Sequence, residues 1–289
     1  MSTEKLVSIL LPVKNEELFI ETAIKSVLSQ THKNLELIII DDSSTDNTLS
    51  IATAYERENK IIKVLANPGT GKVSAFNHGY ENSSGELFVF FAGDDILLEN
   101  SIELRVKYII NKNAAYGQIL TISDDKKFNG RKIPRFGNKG HISGGTLIFN
   151  THLAKEIFPI PDSLPNEDTW TMLCIKYFAL VPSNIPYIVI KYRIHKNNSH
   201  NRYMPFDRMN IFLGKRNSVY NLFLKNKKNV LTKSNVRELI QFIDAEKLRL
   251  KGKWFSLLVK NKLPMMTKKS FIFNSNSLIY RIKLFLSFL

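Results

Sequence analysis

Two pairs of adjacent carboxylates stand where an apolar run gives way to turn formers. Asp41-Asp42 follows Leu35–Ile40, and Asp94-Asp95 follows Phe88-Val89-Phe90-Phe91-Ala92-Gly93. Unpaired charge is costly to bury, so acids at the end of an all-apolar segment need a cation. Hard oxygens presented in pairs suit Mg²⁺ or Mn²⁺, whose remaining positions are ordinarily filled by substrate phosphates and water. Taken together, the two pairs point to a metal-plus-nucleotide site. Helix capping is the other account of Gly93-Asp94-Asp95, because Leu97–Ile110 reads as a helix and Asp commonly precedes one. A third acidic group, Asn166-Glu167-Asp168-Thr169-Trp170, is explained equally well as the cap of a helix over Thr169–Phe178.

Other phosphate-binding devices are excluded by residue type. The first turn after an apolar run, Pro12-Val13-Lys14-Asn15-Glu16-Glu17, holds no glycine. A dinucleotide-binding fingerprint needs glycines there so that a pyrophosphate can reach backbone N–H groups, and a P-loop needs Gly-Lys followed by Ser or Thr. Gly69-Thr70-Gly71-Lys72 is too short for a P-loop and is followed by Val73. His32, His78, His141, His152 and His200 show no spacing that suggests a metal cage.

The elements that must position these acids are legible from periodicity. Val7–Val13, Leu35–Ile40, Ile61–Leu65 and Leu87–Phe91 are short apolar runs fit for buried strands. Between them, Leu18, Phe19, Ala23, Ile24, Val27 and Leu28 recur at helical spacing, and further helices are predicted over Thr48–Glu58 and Val73–Tyr80. Strands alternating with helices predict an α/β fold with a mostly parallel sheet and helices on both faces. Ligands of such sheets bind beyond the carboxyl ends of the strands. Those ends are Pro12–Glu16, Asp41-Asp42, Asn67–Lys72 and Gly93–Asp95, so carboxylates and lysines converge on one rim. From Lys112 the pattern loosens: residues 124–141 read as a long polar loop, Gly144–Phe149 as a strand, and the chain beyond Met204 as helical.

Composition adds one asymmetry. The 289 residues are 44% hydrophobic, enough for an ordinary core, and the single cysteine, Cys174, excludes an intrachain disulfide. The formal charge is +15, yet residues 1–204 carry 23 Lys+Arg against 22 Asp+Glu, whereas residues 205–289 carry 18 against 4. A boundary is therefore expected near residue 205, before a basic helical extension that either meets something anionic or is simply a solvated basic face. The initial apolar run is too short for a secretory leader and no stretch is long enough to span a bilayer, so a cytoplasmic chain is expected.

The stretch VSILLPVKNEELFIETAIKSVLSQTHKNLELIIIDDSSTDNT resembles the opening of the family 2 glycosyltransferases, whose nucleotide-diphosphosugar transferase fold is called GT-A. The likeness runs through PVKNE, SVLSQT, DDSSTDNT, GKVSAFNHG and GDD, is close over residues 6–100, and continues more weakly in ISGGTLIFN, NEDTW and YRIHKNNS. It implies a catalytic domain over 1–204, with a nucleotide-binding half over about 1–110 and an acceptor half over about 111–204, followed by 205–289. It further implies that Pro12, Lys14, Glu16, Asp42, Lys72 and Asp94 bind the nucleotide sugar. Asp95 and His195 would hold Mn²⁺ or Mg²⁺, and Arg193 would meet the diphosphate in a closing loop that runs on through Asn198-Ser199. Gly144, Gly145, Thr146 and Glu167 would line the acceptor side, with Asp168 as general base. One departure is that Ala92 stands where the family often has the first acid of Asp-x-Asp-Asp.

The implied activity is inverting, metal-dependent transfer of a sugar from a nucleotide-diphosphate donor, a UDP-sugar first, to a glycan or lipid-linked acceptor in bacterial surface polysaccharide synthesis. A sugar nucleotidyltransferase and a non-catalytic membrane-associated scaffold are the alternatives. The closing stretch, in which Ile279, Ile282, Leu284, Phe285, Leu286, Phe288 and Leu289 nearly encircle a helix, is expected to lie on an anionic membrane surface through residues 260–289. That would make the chain peripheral on the inner face of the cytoplasmic membrane. Docking of this helix on the protein's own core is the alternative. No nucleic-acid-binding signature accompanies the charge.

Overall fold

The computed structural model describes residues 5–195 and 204–288, with side chains placed as far as residue 283. The chain forms two compact units, residues 1–196 and 197–289. Asn198, Ser199 and His200 lie outside the described residues, as do the side chains of Leu284, Phe285, Leu286, Phe288 and Leu289.

Unit 1 is an α/β unit built on a nine-stranded sheet. In chain order its elements are β1 Val7–Val13, α1 Ile20–Leu28, β2 Leu35–Asp41, α2 Thr48–Glu58, β3 Ile62–Ala66, α3 Gly71–Glu81, β4 Leu87–Phe90, β5 Ile96–Leu97, α4 Ser101–Tyr108, β6 Ala114–Ile122, β7 Lys132–Ile133, β8 Leu147–Asn150, α5 Thr151–Ile157, α6 Asp168–Phe178 and β9 Ser183–Arg193. Across the sheet the strands run β3-β2-β1-β4-β8-β6-β9-β5, with β7 paired to β6. The first four strands are parallel, as crossover helices require, and every residue of β1 and β4 is buried. α1 explains itself at the level of spacing: Ile20, Ala23, Ile24 and Val27 fall one helical turn apart and are all buried. Each large apolar side chain among them contributes about 1.5–3 kcal/mol by leaving water.

The second half of the sheet is mixed. β6 and β9 are parallel, while β4–β8, β6–β8, β6–β7 and β5–β9 are short antiparallel ladders. Local detail here departs from the sequence expectation. Ile96 and Leu97 are a strand, not a helix start, because they pair with Lys191 and Ile190 of β9, and the helix begins only at Ser101. Gly144–Thr146 forms a 3₁₀ turn before β8 instead of opening the strand.

Register sets the rim. Val13 lies opposite Asp41 and Leu10 opposite Phe90, so the acidic turns after β2 and β4 emerge on the same edge as the turn after β1. Pro12 lies beyond the last β1–β4 pair, where a missing N–H breaks no ladder on that side. α6 is held to α5 by Trp170, a fully packed ring whose Nε1–H donates to the Ile157 carbonyl at 2.7 Å. Cys174, one turn further on, is buried, and its Sγ–H donates to the Glu156 carbonyl at 3.3 Å.

Unit 2 is helical, with α7 Phe206–Asn217, α8 Val219–Lys227, α9 Lys233–Leu250, α10 Trp254–Val259, α11 Met265–Phe273 and α12 Ser277–Phe288. Ala245, Leu257, Leu263 and Phe271 form its apolar centre. A buried ion pair reinforces it: Arg249 donates from Nε and Nη2 to the two Glu246 oxygens at 2.7 and 2.6 Å. α12 docks through Tyr280, which is buried and donates its hydroxyl to the Met204 carbonyl at 2.8 Å. Among the described residues no helix is long and apolar enough to cross a membrane.

Because Trp170 anchors the helix whose first residue is Asp168, Trp170→Phe is expected to lower unfolding stability by about 1–3 kcal/mol, from the unpaired carbonyl and lost ring volume. Urea denaturation followed by circular dichroism checks this; an unchanged midpoint would remove the ring from its anchoring role.

Candidate active site

The turns after β1 and β2 are laced together by small polar side chains. Asn15 N–H donates to Ser44 Oγ at 3.0 Å, Thr45 N–H to Asn15 Oδ1 at 2.8 Å, Glu16 N–H to Thr48 Oγ1 at 2.7 Å and Glu17 N–H to Asp46 Oδ2 at 3.1 Å. This is the physical content of the DDSSTDNT stretch: short oxygens satisfy the backbone donors of the neighbouring turn. Asn15 and Ser43 both take left-handed backbone angles, φ 55° and 59°, a conformation that costs energy outside glycine.

Asp42 stands at the centre of the first cluster. Its Oδ1 accepts from Asn67 Nδ2 at 2.7 Å and from Gly71 N–H at 2.9 Å, and Oδ2 faces Lys14 Nζ at 3.2 Å. Burial alone would raise the Asp42 carboxyl, but these donors outweigh it and hold it below the usual carboxylate range. Gly71 presents its N–H from a φ of +84°, a conformation that a Cβ would strain. Asp41, buried beside it, accepts from Ser44 N–H at 3.1 Å through Oδ2 and leaves Oδ1 without a hydrogen bond.

The second cluster gathers on Asp94 and Asp95. Asp95 is buried, and its Oδ1 accepts from Arg193 N–H at 2.9 Å. Arg193 Nε donates to the Asp94 carbonyl at 2.9 Å, and His195 Nε2 lies 3.0 Å from Asp94 Oδ2. Phe19 packs under both, 4.7 Å from the Arg193 guanidinium and 5.1 Å from the His195 ring. Burial, and then Asp94, push the Asp95 carboxyl well above its ordinary range. Glu16 feels the same crowding: burial, then Asp94 and Asp46, push it up to about 7.

The third cluster is Glu167-Asp168. Glu167 is buried, its Oε1 sits 3.1 Å from Lys72 Nζ, and its Oε2 has no hydrogen-bond partner. Burial and then Asp168 push the Glu167 carboxyl up against the pull of Lys72. Lys72 is raised in turn, since Glu167, Asp168 and Asp94 outweigh the burial that would lower it. Asp168 is half-buried and accepts from Asn166 Nδ2 at 3.2 Å. Neither acidic motif caps a helix through its side chains: Glu167, at the N-cap position of α6, makes no side-chain cap bond, and α4 begins six residues after Asp95.

A two-glycine turn links the second and third clusters. A Cβ on Gly144 would lie 3.0 Å from Glu167 Oε1 and 3.7 Å from Asp168 Oδ1, whereas one on Gly145 would lie 2.7 Å from Ile190 and 3.8 Å from Asp95 Oδ2. The fully buried Arg105 of α4 holds this turn, donating from Nη2 to the Gly145 carbonyl at 2.7 Å and from Nη1 to the Leu147 carbonyl at 3.1 Å. Burial without a carboxylate partner pulls its guanidinium down to about 9. Sequence reading missed Arg105, because a lone arginine on an amphipathic helix looks like a surface residue. Thr146 closes the turn: its Oγ1 accepts from Ser143 N–H at 3.1 Å and donates to the His141 carbonyl at 2.5 Å.

The donor chemistry of the second cluster fits a divalent cation: Asp95 offers carboxylate oxygens whose charge is destabilised by burial and by its neighbour. Among the described residues no three His, Cys, Asp or Glu side chains form a metal-holding group, so the remaining ligands would be substrate oxygens and water. The structure sets His195 against Asp94 and Lys72 against Glu167, pairings that sequence spacing does not specify.

The fold is shared with two solved proteins. S. aureus TarS, residues 1–349 in complex with UDP-GlcNAc, aligns with a TM-score of 0.63 at 17% identity, covering 94% of this chain and 79% of that one. The mannosyltransferase PcManGT from Pyrobaculum calidifontis, in complex with GDP-Man and Mn²⁺, aligns with a TM-score of 0.58 at 15% identity, covering 95% and 86%. These likenesses define a GT-A-type α/β protein. Residues 8–162 match the model of Glycosyl transferase family 2, and the chain belongs to that family. Among its relatives, an uncharacterized glycosyltransferase of Rickettsia conorii is 39% identical over 107 residues, 37% of this chain and 18% of that protein. The glycosyltransferase GlyG of Streptococcus pneumoniae is 33% identical over 112 residues, 38% of this chain and 37% of that protein. The match thus spans well under half the length of either relative.

Glu16 gives the site a stability signature. Its folded carboxyl titrates near 7 against 4.5 when unfolded, so ionising it weakens the fold progressively as pH rises between those values and by a constant amount above them. Glu16→Gln in metal-free buffer should therefore gain stability over the parent by about 2 kcal/mol at pH 8 and by almost nothing at pH 4. Thermal melts at both pH values check this, and a pH-independent difference would refute it.

Proposed function

We propose that the chain transfers a sugar, with inversion, from a nucleoside-diphosphate donor to a glycan or lipid-linked acceptor in bacterial surface polysaccharide synthesis. One observation carries the reading: a single two-glycine turn has Asp95 on one side and Glu167-Asp168 on the other, so a leaving-group site and a base site share one wall. A UDP-sugar is the first donor to test, in keeping with the UDP-GlcNAc bound by TarS.

On this reading Pro12, Lys14 and Asp42 contact the nucleotide, with the preset Asp42 carboxylate accepting from a base N–H. Glu16 and Asp94 border the ribose. Asp95 binds Mn²⁺ or Mg²⁺, and His195 steadies that cluster through Asp94. A bound divalent cation would supply positive charge to the departing diphosphate. Arg193, fixed by the Asp94 carbonyl and Phe19, offers a second positive group to phosphate.

Asp168 takes the proton of the acceptor hydroxyl. As it does so, the acceptor oxygen bonds to the anomeric carbon and the bond from that carbon to the diphosphate oxygen breaks on the opposite face, which inverts the centre. Glu167 orients the acceptor through its unpaired Oε2, and Lys72 offsets the charge of the two acids. Gly144 and Gly145 let this turn approach Glu167 and Ile190 more closely than a Cβ would allow, and with the buried Thr146 they form the backbone wall on the acceptor side. Unit 2 is read as the contact with anionic lipid at the inner face of the cytoplasmic membrane, where a lipid-linked acceptor would be met.

The test is a panel of nucleotide sugars with Mn²⁺, scored by nucleotide release through slow hydrolysis. A UDP-sugar should be turned over and chelation should abolish the signal. Asp95→Asn should lower turnover by about 10²-fold or more. Asp168→Asn should lower transfer to an acceptor by about 10²–10⁴-fold while calorimetric UDP binding persists. Full transfer by Asp168→Asn would dismiss it as the base.

A further inference from the structure

Resting on the membrane reading of unit 2, we infer that the corner where α10 meets α11, not residues 260–289 as a whole, is the surface that enters an anionic bilayer. α10 turns Leu257 inward to the apolar centre and leaves Trp254, Phe255, Leu258 and Val259 exposed. At 3.6 residues per turn these four fall within less than half of the helix circumference, on an arc centred about 130° from Leu257. α11 continues the patch with Met265 and Met266, the latter 86% exposed. Exposed large side chains this closely spaced are uncommon on a soluble surface and mark an interaction site.

Charge selects the partner. From Lys247 to the C-terminus the sequence carries ten Lys+Arg and no Asp or Glu. Lys251, Lys253, Lys260, Lys262 and Lys269 are exposed around the apolar residues, the arrangement that suits anionic headgroups. Lys268 is instead buried and donates from Nζ to the Leu258 carbonyl at 3.1 Å, tying α11 to α10, so the patch is presented from a braced corner. Tryptophan suits the headgroup level and methionine adapts to irregular acyl packing. α12 is the weaker candidate, because Tyr280 is committed to packing inside the unit and only Leu278 and Ile282 are exposed large apolar side chains among its described positions.

The experiment uses the full chain and vesicles of phosphatidylcholine with or without phosphatidylglycerol. Trp170 is 2% exposed in unit 1 and Trp254 43% exposed, so a blue shift of fluorescence, and quenching by brominated lipid, report on Trp254. Binding is expected only to the anionic vesicles and should weaken with salt. Trp254→Ser combined with Phe255→Ser and Met266→Ser should lower partitioning, read by vesicle co-sedimentation because the reporting tryptophan is gone, by about ten-fold or more, with circular dichroism and donor hydrolysis unchanged. Leu278→Ser combined with Ile282→Ser should leave it unaltered. The reverse pattern would overturn the corner while leaving the membrane reading intact. Absence of parental binding to either vesicle would overturn both, and donor hydrolysis in the same sample would still report on the transferase. Equal binding to the neutral vesicles would overturn the choice of anionic lipid, and a dimer dissociated by the triple variant without vesicle binding would assign the corner to a second copy of the chain.

Discussion

Carboxylates held out of water at the carboxyl edge of a buried sheet govern this structure. Asp95 and Glu167 are each at most 4% exposed, and burial pushes both toward their neutral forms. The protein supplies compensation only in part: the Arg193 N–H and the nearby Lys72 and Arg193 charges for Asp95, Lys72 for Glu167, and an oxygen of Glu167 left unbonded. Such an arrangement is costly in a resting protein and suits one whose ligands bring positive charge and hydrogen-bond donors.

The rest of unit 1 follows from keeping those acids in place. The parallel strands put the turns after β1, β2 and β4 on a common edge, and the polar lacing between Asn15, Ser44, Thr45 and Thr48 stiffens two of them. On the other side, Trp170 secures the helix that begins at Asp168, and the buried Arg105 secures the glycine turn between the acidic motifs. Arg105 bonds to carbonyl oxygens and to no carboxylate among its hydrogen bonds, which places a cation deep in the fold at the cost of its own desolvation.

Unit 2 solves a different problem. Its interior is closed by the Glu246–Arg249 pair and a small apolar cluster, while aromatic, aliphatic and lysine side chains remain outside at the corner of α10 and α11. A surface on which the sequence from Lys247 onward contributes lysines and arginines and no acids, interrupted by Trp and Phe, is what the proposed lipid contact rests on.

The amino-acid pattern by itself determined the alternating strands and helices of the first hundred residues, because buried parallel strands are short apolar runs and amphipathic helices repeat at 3.6. It also marked Asp42, Asp94 and Asp95, since paired acids at strand ends have few physical explanations. It left open whether Glu167-Asp168 and Gly93-Asp94-Asp95 were caps or chemistry, it read Leu97 into a helix, and it left Gly144–Thr146 between a strand and a strand-entry turn. Only tertiary structure placed Leu97 in a strand and showed that neither acidic motif caps a helix through its side chains. Pairing with β9 turns Ile96-Leu97 into a strand, Lys72 reaches Glu167 across 95 positions of sequence, and Arg105 grips a turn 40 positions away. Local periodicity records which face of an element is buried, but a contact between distant polar side chains leaves no period in the sequence. It exists only once the chain has folded.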